Sequence, residues 1–408
     1  MTSEDTNRPD AGLGELRFHK DLSQPEPIPQ VGIDRAVELM RDGRLHRYGE
    51  TGGKVAEVSL LEQEYAAYIG TRYCVAMNSC GATMFVALKS LGVGAGDKVL
   101  TNTFTLAPVP GAIAHAGAEP VLVETTAGYT VDLKDLELKA ATSRARIFLI
   151  SHMRGHIADL HAVRAICDAR GIALVEDCAH TMGARWAGRP TGTFGRVGCF
   201  STQTYKHINS GEGGLLVTDD DDICAQAILY SGSYMLYSQH VARPSEATFE
   251  RWKYFTPNFS LRMSNHAAAM LRPQLAELPR RAARWNALYA MLERELEGMP
   301  QLTVPPRDPR EEYVASSIQF TLDLPGESIE RFLSACDSHG LHIKWFGRAG
   351  ARGFTSNYTH WRYVHAAQHV PASLPLMAGV CDMRIPLSLT GEDAATIGRI
   401  VRAALATA

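Results

Sequence analysis

Short apolar runs alternate with helix-like segments between residues 73 and 176, and this alternation limits the folds open to the chain. Buried strands separated by helices of about ten to fifteen residues indicate right-handed crossovers within one parallel sheet. Strands are predicted over 73–77, 98–101, 120–123, 145–151, 172–176, 197–200 and 215–217, with helices over 107–115 and 161–170 between them. The sequence therefore predicts an α/β fold, with a mostly parallel sheet flanked by helices in a large domain.

The pattern changes in the second half of the chain. Residues 220–263 are rich in aromatic and polar side chains without a clean period, which predicts a long irregular connection with a functional use, or else a surface insertion. One long helix is predicted over 265–295, and a smaller C-terminal α/β domain follows, with strands over 316–322 and 340–345 and helices over 328–339 and 390–405. The predicted division is an arm and helix over 1–55, a large domain over 56–270 and a small domain over 271–408.

The segment before the first strand contains prolines and glycines that interrupt regular secondary structure. Prolines 25, 27 and 29 predict a loose arm over residues 1–30, and a helix is expected over 33–41. An Arg-Tyr-Gly motif at 47–49 and a Gly-Gly turn at 52–53 follow. An amphipathic helix is predicted over 58–69, with Ser59 as its N-cap and Gly70 as its stop.

Bulk properties exclude several classes of function. The 408 residues carry a formal net charge of −3, so there is no basic field for nucleic acid, and no apolar run is long enough to span a membrane. The eight cysteines form no CxxC pair and no Cys/His metal spacing. We therefore expect free thiols, no metal and a cytoplasmic protein.

Residues 173–218 contain the strongest chemical signal in the chain. Asp177 ends a predicted strand, Ser201 begins the polar loop that follows the next strand, and Lys206 comes after that loop and before a glycine-rich turn. Most lysines are solvated surface residues, but apolar flanking elements favour a desolvated amine here. An amine, an anion and phosphate donors are what pyridoxal phosphate chemistry requires of a protein.

Two motifs in this stretch, EDCAH and GCFSTQTYKHINSGEGG, closely resemble the DegT/DnrJ/StrS family of sugar aminotransferases. The resemblance covers most of residues 45–400 and implies the pyridoxal-phosphate-dependent transferase fold of type I. It implies that Lys206 forms the Schiff base with pyridoxal 5′-phosphate and moves the substrate proton. It also implies that Asp177 pairs with the pyridinium nitrogen, that Ser201 binds the phosphate, and that His180 lies beside the phenolic oxygen. From sequence alone a helix N-cap is the alternative for Asp177, and a lone histidine at position 180 is more often a satisfied buried residue.

Three further cofactor-binding positions follow from the same resemblance. Gly81 and Ala82 lie in a strand-to-helix turn, where backbone N–H groups and the helix dipole favour an anion, although the family has threonine at position 82. We do not expect the Thr83 hydroxyl to replace the hydroxyl that is missing at position 82. Phe104 matches the family's ring that stacks on the pyridine face, and a core phenylalanine is the alternative.

The segment around Asn258 matches a family motif whose asparagine reaches the phosphate of the neighbouring subunit. Two residues intervene before Arg262, so either Asn258 or Ser260 is expected to make that contact. The resemblance thus implies a homodimer with shared active sites.

The resulting expectation is an aminotransferase that passes the amino group of glutamate (or glutamine) to a keto or aldehyde sugar, with a nucleotide-linked sugar favoured. Two alternatives remain open. Sugar dehydratases of the family have histidine at the lysine position, which Lys206 argues against, and a non-catalytic regulatory homologue would not need Asp177, Ser201 and Lys206 together. Arg384 receives no chemical role, and Lys344 and Trp361 are among several small-domain candidates for substrate contact.

Overall fold

The computed structural model describes residues 16–48, 55–355 and 357–408. Its central sheet has the strand order β1-β9-β8-β5-β4-β2-β3. The bounds are β1 Tyr73–Met77, β2 Lys98–Asn102, β3 Glu119–Val123, β4 Ile147–Ser151, β5 Ala173–Asp177, β8 Val197–Ser201 and β9 Gly214–Thr218. The pairs β2–β3, β2–β4, β4–β5 and β5–β8 are parallel, whereas β9 runs antiparallel to both of its neighbours. The predicted α/β fold with a mostly parallel sheet is confirmed.

Helices cover the faces of this sheet and continue into the C-terminal part. Their bounds are α1 Gln30–Asp42, α2 Glu57–Ile69, α3 Cys80–Ser90, α4 Pro108–His115, α5 Leu133–Thr142, α6 Leu160–Ala169, α7 Asp221–Ser231, α8 Glu246–Trp252, α9 Asn265–Leu296, α10 Gly326–Ser338, α11 Ser373–Ala378 and α12 Gly391–Leu405. Among the described residues, none of these helices is both long and apolar enough to cross a bilayer.

A second, antiparallel sheet lies in the C-terminal part, in the order β10-β12-β14-β13. Its strands are β10 Leu302–Thr303, β12 Ser317–Leu322, β13 Lys344–Trp345 and β14 Val380–Arg384, while β6 Arg185–Trp186, β7 Arg189–Pro190 and β11 Glu311–Glu312 form a third, three-stranded sheet. Helix α9 connects the two larger sheets as one element. The predicted capping box of α12 is present, since Thr390 and Asp393 bond reciprocally. The domain boundaries themselves stay a prediction.

Several predictions for individual elements were wrong. The segment expected to be irregular contains the helices α7 and α8, because its apolar residues point into the core of the large sheet. Helix α5 was missed, and β14 was not predicted. Ser59 does not cap α2, which begins at Glu57 and buries Ser59 within its first turn. Gly70 does end that helix, in a left-handed conformation.

The N-terminal arm is also better packed than predicted. From Leu16 onward it lies against the C-terminal part: Phe18 and Leu22 are buried, and the Phe18 N–H donates to the His339 carbonyl. A salt bridge joins Lys20 to Asp393 at 2.6 Å. The Gly-Gly turn at 52–53 and residues 1–15 lie outside the described residues.

Alternation along β5 separates the functions of its two carboxylates. Successive strand side chains point to opposite faces, so Glu176 and Asp177 diverge. The fully buried Glu176 carboxylate accepts N–H bonds from Gly192, Phe194 and Gly195 at 2.7–2.8 Å. Glu176 therefore fixes the turn that precedes β8, and Asp177 is left for the edge of the sheet.

Replacing Glu176 by glutamine should destabilise the protein. The glutamine amide would put its own N–H group against backbone N–H donors that now bond to the Glu176 carboxylate, and some of these donors would be left without an acceptor. We therefore expect the Glu176→Gln change to lower the free energy of unfolding by about 1–3 kcal/mol. Urea denaturation followed by circular dichroism measures this difference. The matched control is Glu137→Gln, on an exposed position of α5. Equal stability of the two variants would contradict the assignment.

Candidate active site

A cavity of about 370 Å³ opens at the carboxyl ends of β4, β5 and β8. Ligand sites of α/β proteins commonly form at this edge of a sheet, and the volume suits a small-molecule cofactor. Five of the residues predicted from sequence line it together: Gly81, Asp177, His180, Ser201 and Lys206. They come from three separate stretches of sequence, so the fold, and not sequence proximity, assembles the site.

Asp177 is held rigidly at the end of β5. Its side chain is 5% exposed, and Oδ2 accepts a hydrogen bond of 2.8 Å from the hydroxyl of Ser151, its partner in the register of β4. Oδ1 accepts the backbone N–H of Ala179 at 3.1 Å. The Cys80 thiol also donates to Oδ1, at 3.9 Å, so Oδ2, with one donor, keeps the larger free acceptor capacity beside the cavity. No helix follows Asp177, so the alternative of a helix N-cap does not hold.

Lys206 faces His180 within the cavity. Its Nζ lies 2.9 Å from His180 Nε2, and the Arg154 backbone N–H approaches His180 Nδ1 at 3.4 Å. Because Nδ1 faces a donor, the favoured tautomer carries its proton on Nε2, which donates to Lys206 when the lysine is a neutral amine. Burial and the positive charge of Lys206 hold the pKa of His180 well below its ordinary value, so the imidazole is neutral.

The environment of Lys206 favours the neutral amine. Desolvation, and next the charge of Arg154, lower the pKa of Lys206 from 10.5 to about 8, against the opposing effect of Asp177. Arg154 itself has a left-handed backbone, with a φ of 55°, and pairs with Asp382 of β14 at 2.8 Å. A lysine in this setting combines a nucleophilic amine with the capacity to take up and return a proton.

The amino end of α3 supplies donors for an anion. Ser79 caps the helix, and its Oγ accepts the Ala82 N–H at 3.0 Å. The Ala82 donor is therefore already used, and Ala82 does not line the cavity, so its contact with the phosphate stays a prediction. The Gly81 N–H, in the first turn, has no intrahelical acceptor and lies at the positive end of the helix dipole. The Thr83 hydroxyl donates to the Cys80 carbonyl at 2.7 Å and faces away.

Three further predicted residues lie outside this cavity. Phe104 is 1% exposed and packs edge-on against Phe346, at 5.2 Å between ring centroids, so the structure places it in the core, the alternative left open above. Met153, from the same apolar cluster, lines the cavity instead. Asn258 and Ser260 are exposed and hydrogen-bond to one another, with Asn258 Oδ1 accepting the Ser260 N–H at 2.7 Å.

Sequence reasoning missed Ser151, Arg154 and Met153. All three follow or end β4, as Asp177 ends β5, and the predicted parallel register could have pointed to them. Among the small-domain candidates, Lys344 is exposed and Trp361 is buried in a separate apolar cluster. Arg384, which had no predicted role, lines a cleft together with Lys206.

The residues present fit pyridoxal phosphate. A free helix-terminal N–H and the Ser201 hydroxyl suit its phosphate, the Asp177 carboxylate suits its ring nitrogen, and Lys206 suits its aldehyde. The fold and this site define a pyridoxal-phosphate-dependent transferase of fold type I. The chain belongs to the DegT/DnrJ/EryC1/StrS aminotransferase family, whose profile matches residues 33–402.

Three known proteins are similar to this chain in sequence or in structure. The chain is 32% identical to the L-glutamine:2-deoxy-scyllo-inosose aminotransferase of Streptoalloteichus tenebrarius over 308 residues, 74% of this chain and 71% of that protein. The structure of 3-amino-5-hydroxybenzoic acid synthase has a TM-score of 0.80 at 23% identity, covering 95% of this chain and 100% of that one. DesV of S. venezuelae, in complex with a ketimine intermediate, has a TM-score of 0.75 at 27% identity, covering 91% and 93%.

The lowered pKa of Lys206 predicts an unusual pH profile of chemical labelling. In protein freed of cofactor, the rate of Lys206 acetylation by acetic anhydride should rise with pH and level off above about pH 8, because only the neutral amine reacts. Peptide mass spectrometry measures this rate, with N-acetyl-lysine amide as the reference amine. A Lys206 rate that still rises steeply near pH 10, as for the reference, would contradict the desolvated setting.

Proposed function

We propose that this protein is an aminotransferase that moves the amino group of glutamine or glutamate to the carbonyl carbon of a sugar or a sugar-like polyhydroxylated ring. The observation that carries the proposal is the convergence of Lys206, His180 and Asp177 on one cavity in a member of this family. Relatives named as L-glutamine:inosose aminotransferases favour glutamine as the donor and a free ring as the acceptor. A nucleotide-linked sugar is the second acceptor to test.

Each residue has a definite task in this proposal. When bound, pyridoxal phosphate supplies an aldehyde that condenses with amines and a ring that withdraws electrons. Lys206 holds the cofactor between turnovers, and its freed Nζ carries the proton removed from the donor carbon. Asp177 keeps the ring nitrogen protonated through a charge-assisted hydrogen bond, and Ser151 keeps Asp177 in place. Ser201 and the Gly81 N–H bind the phosphate.

The dehydratase alternative is less well supported. The family resemblance ties dehydration to a histidine in place of the lysine, and the neighbouring His207 does not take that role in the structure. His207 points away from the cavity: its Nε2 bonds the Ser316 hydroxyl at 3.1 Å, and its ring packs edge-on against Trp285. A regulatory homologue is disfavoured because a buried amine and a buried carboxylate would face one cavity without use.

Turnover tests the proposal directly. With glutamine or glutamate, the protein should aminate at least one member of a panel of free keto-inositols and nucleotide-linked keto-sugars, releasing the 2-oxo acid of the donor. Lys206→Ala should abolish visible cofactor absorbance and reduce turnover by about 10³-fold or more, since both the anchor and the proton carrier are lost. The control is Lys134→Ala, on an exposed turn of α5. Elimination of water from the sugar without amination would support the dehydratase.

We also propose a homodimer with shared sites. Tyr254 is 80% exposed and Phe255 77% exposed, close in sequence to Asn258 and Ser260, so an apolar surface and two polar groups face away from the chain's own cavity. Large exposed aromatic residues in a cluster are typical of a protein contact. In this arrangement Asn258 or Ser260 of one subunit contacts the phosphate bound by the other.

Complementation between two inactive variants tests the sharing. Lys206→Ala and Asn258→Ala subunits, mixed after reversible dissociation, should regain about a quarter of wild-type activity, because half of the dimers are mixed and each has one intact site. The same experiment with Ser260→Ala identifies which of the two residues reaches across. Failure of both mixtures to exceed the sum of their components would contradict shared sites.

Two remaining assignments complete the proposal. We propose a large domain over 56–270 and a small domain over 271–408, supported by the separate sheets of the two parts. We propose a cytoplasmic location, supported by eight cysteines that are all buried and free.

A further inference from the structure

The loop after β4 reaches His180 through a residue with a strained backbone. Arg154 has a φ of 55°, in the left-handed region that residues with a side chain rarely adopt. In this conformation its backbone N–H donates to Nδ1 of His180 at 3.4 Å. Strain of this kind persists only where other contacts hold the residue in place.

The side chain of Arg154 provides that hold. It is 6% exposed, and its Nη2 forms an ion pair of 2.8 Å with Oδ2 of Asp382, the central residue of β14. Arg154 follows a strand of the large sheet, whereas Asp382 belongs to the C-terminal sheet. The pair therefore joins the two sheets at the narrow cleft that Arg154 lines together with His180 and Lys206.

Asp382 is fixed from its other side as well. Its side chain is fully buried, and Oδ1 accepts a hydrogen bond of 2.8 Å from Nε2 of Gln319, its neighbour in the register of β12. The amide oxygen of Gln319 lies 2.8 Å from Nε2 of His156, whose pKa burial holds well below its ordinary value. In the part of the chain that the structure describes, Arg154 is the only ion-pair partner of Asp382.

The charge of Arg154 acts within a space that contains little water. The cleft has a free volume of about 30 Å³, and a water needs roughly 10–15 Å³ by this measure, so two or three waters fill it. The Nε–H group of Arg154 is buried and has no acceptor among the described residues, so Asp382 satisfies only one side of the guanidinium. The positive charge is therefore weakly screened from the Lys206 amine.

Several charged or titratable groups surround that amine: Arg154, Asp177, Cys80, His180, His207 and Arg384. Burial raises the pKa of the Cys80 thiol and lowers the pKa values of both imidazoles, so these three groups are uncharged near neutral pH. Of the charged groups, Arg154 has the largest effect on the pKa of Lys206, which it lowers, and desolvation acts in the same direction.

We propose that Arg154, anchored by Asp382, is a positioning residue of the active site, which holds the His180 ring beside Lys206 and keeps a positive charge in the same cleft as the amine. The inference rests on the proposed function, in which the neutral amine of Lys206 reacts. The backbone of Arg154 supplies the donor to Nδ1, so the Nε2 side of the His180 ring faces Lys206. Its guanidinium opposes protonation of the amine. Because Asp382 belongs to the C-terminal sheet, both effects depend on contact between the two sheets.

Charge changes at the two ends of the ion pair provide the test. In the cofactor-free full-length chain, Arg154→Met should raise the pKa of Lys206 by about one unit, so the rate of Lys206 acetylation at pH 7 should fall about tenfold. Asp382→Asn leaves the charge of Arg154 uncompensated, so the same rate should rise about two- to threefold. A purely structural contact would instead admit water to the cleft in both variants and slow both reactions.

Further variants separate charge from stability. Arg154→Met leaves the Asp382 carboxylate buried without a counter-ion, which destabilises a protein, whereas the double variant Arg154→Met/Asp382→Asn removes both charges. The double variant should fold and should react about tenfold more slowly than the wild type, like Arg154→Met. Arg154→Lys keeps the charge and should stay within about threefold of the wild-type rate. The matched control is Arg47→Met, which breaks another buried ion pair, with Glu62 at 2.6 Å, and should leave the Lys206 rate unchanged.

Nitrogen NMR of the histidine-labelled chain tests the orientation of the ring separately. In the wild type the His180 signals, assigned by their loss in His180→Gln, should show the proton on Nε2. In the double variant the loop loses its anchor, so the signals should shift towards a mixture of the two tautomers.

The outcomes distinguish this inference from the proposed function. Equal rates of acetylation in all variants, a decrease in both single variants, or unchanged His180 signals in the double variant would overturn the role of Arg154. None of these results requires turnover, so each leaves the proposed function intact. The expected shifts in a wild-type protein that aminates no carbonyl sugar would support the role of Arg154 and contradict the proposed function.

Discussion

The parallel register of β4, β5 and β8 is the constraint on which the site depends. Pairing sets Ser151 beside Asp177, and Asp177 beside Cys199, two residues before Ser201. Three polar side chains therefore reach one edge of the sheet without any local sequence relation between them. Because alternate residues face opposite ways, a shift of the β5 register by one residue would put Glu176 in the place of Asp177 and turn Asp177 to the opposite face of the sheet.

Desolvation gives this arrangement its chemical character. In water a lysine is almost fully protonated at neutral pH, but within this cavity burial and two nearby guanidinium groups favour the neutral amine. The Asp177 carboxylate beside it is held in place by hydrogen bonds from the Ser151 hydroxyl and the Ala179 N–H. The cavity thus combines an amine whose pKa is lowered to about 8 with a hydrogen-bonded carboxylate, a pairing suited to acid–base chemistry.

The sequence was informative wherever function depends on a local motif. Strand ends, the spacing of Ser201 and Lys206 and the resemblance to the family motifs predicted five residues that line the cavity. It failed where a neighbour in space decides the outcome. Phe104 has the same local pattern whether it faces a ligand or a core, and only its packing against Phe346 distinguishes the two. Helix α7 was missed because Ile223 to Ser231 are all buried and give no clear amphipathic period, and α8 because its seven residues are too few to establish one. Arg384 could not be assigned because its surroundings come from Tyr205, about 180 residues away.

The central claim is that Lys206 is the residue that carries the cofactor. Borohydride reduction of the holoenzyme fixes the cofactor covalently to the amine that holds it, and peptide mass spectrometry then locates the modified lysine. We expect the pyridoxyl group on the peptide containing Lys206. We also expect the loss of visible absorbance to match the amount of pyridoxyl group found on that peptide. A label on another lysine such as Lys344, or a protein that retains the cofactor without any reducible bond to Lys206, would contradict it.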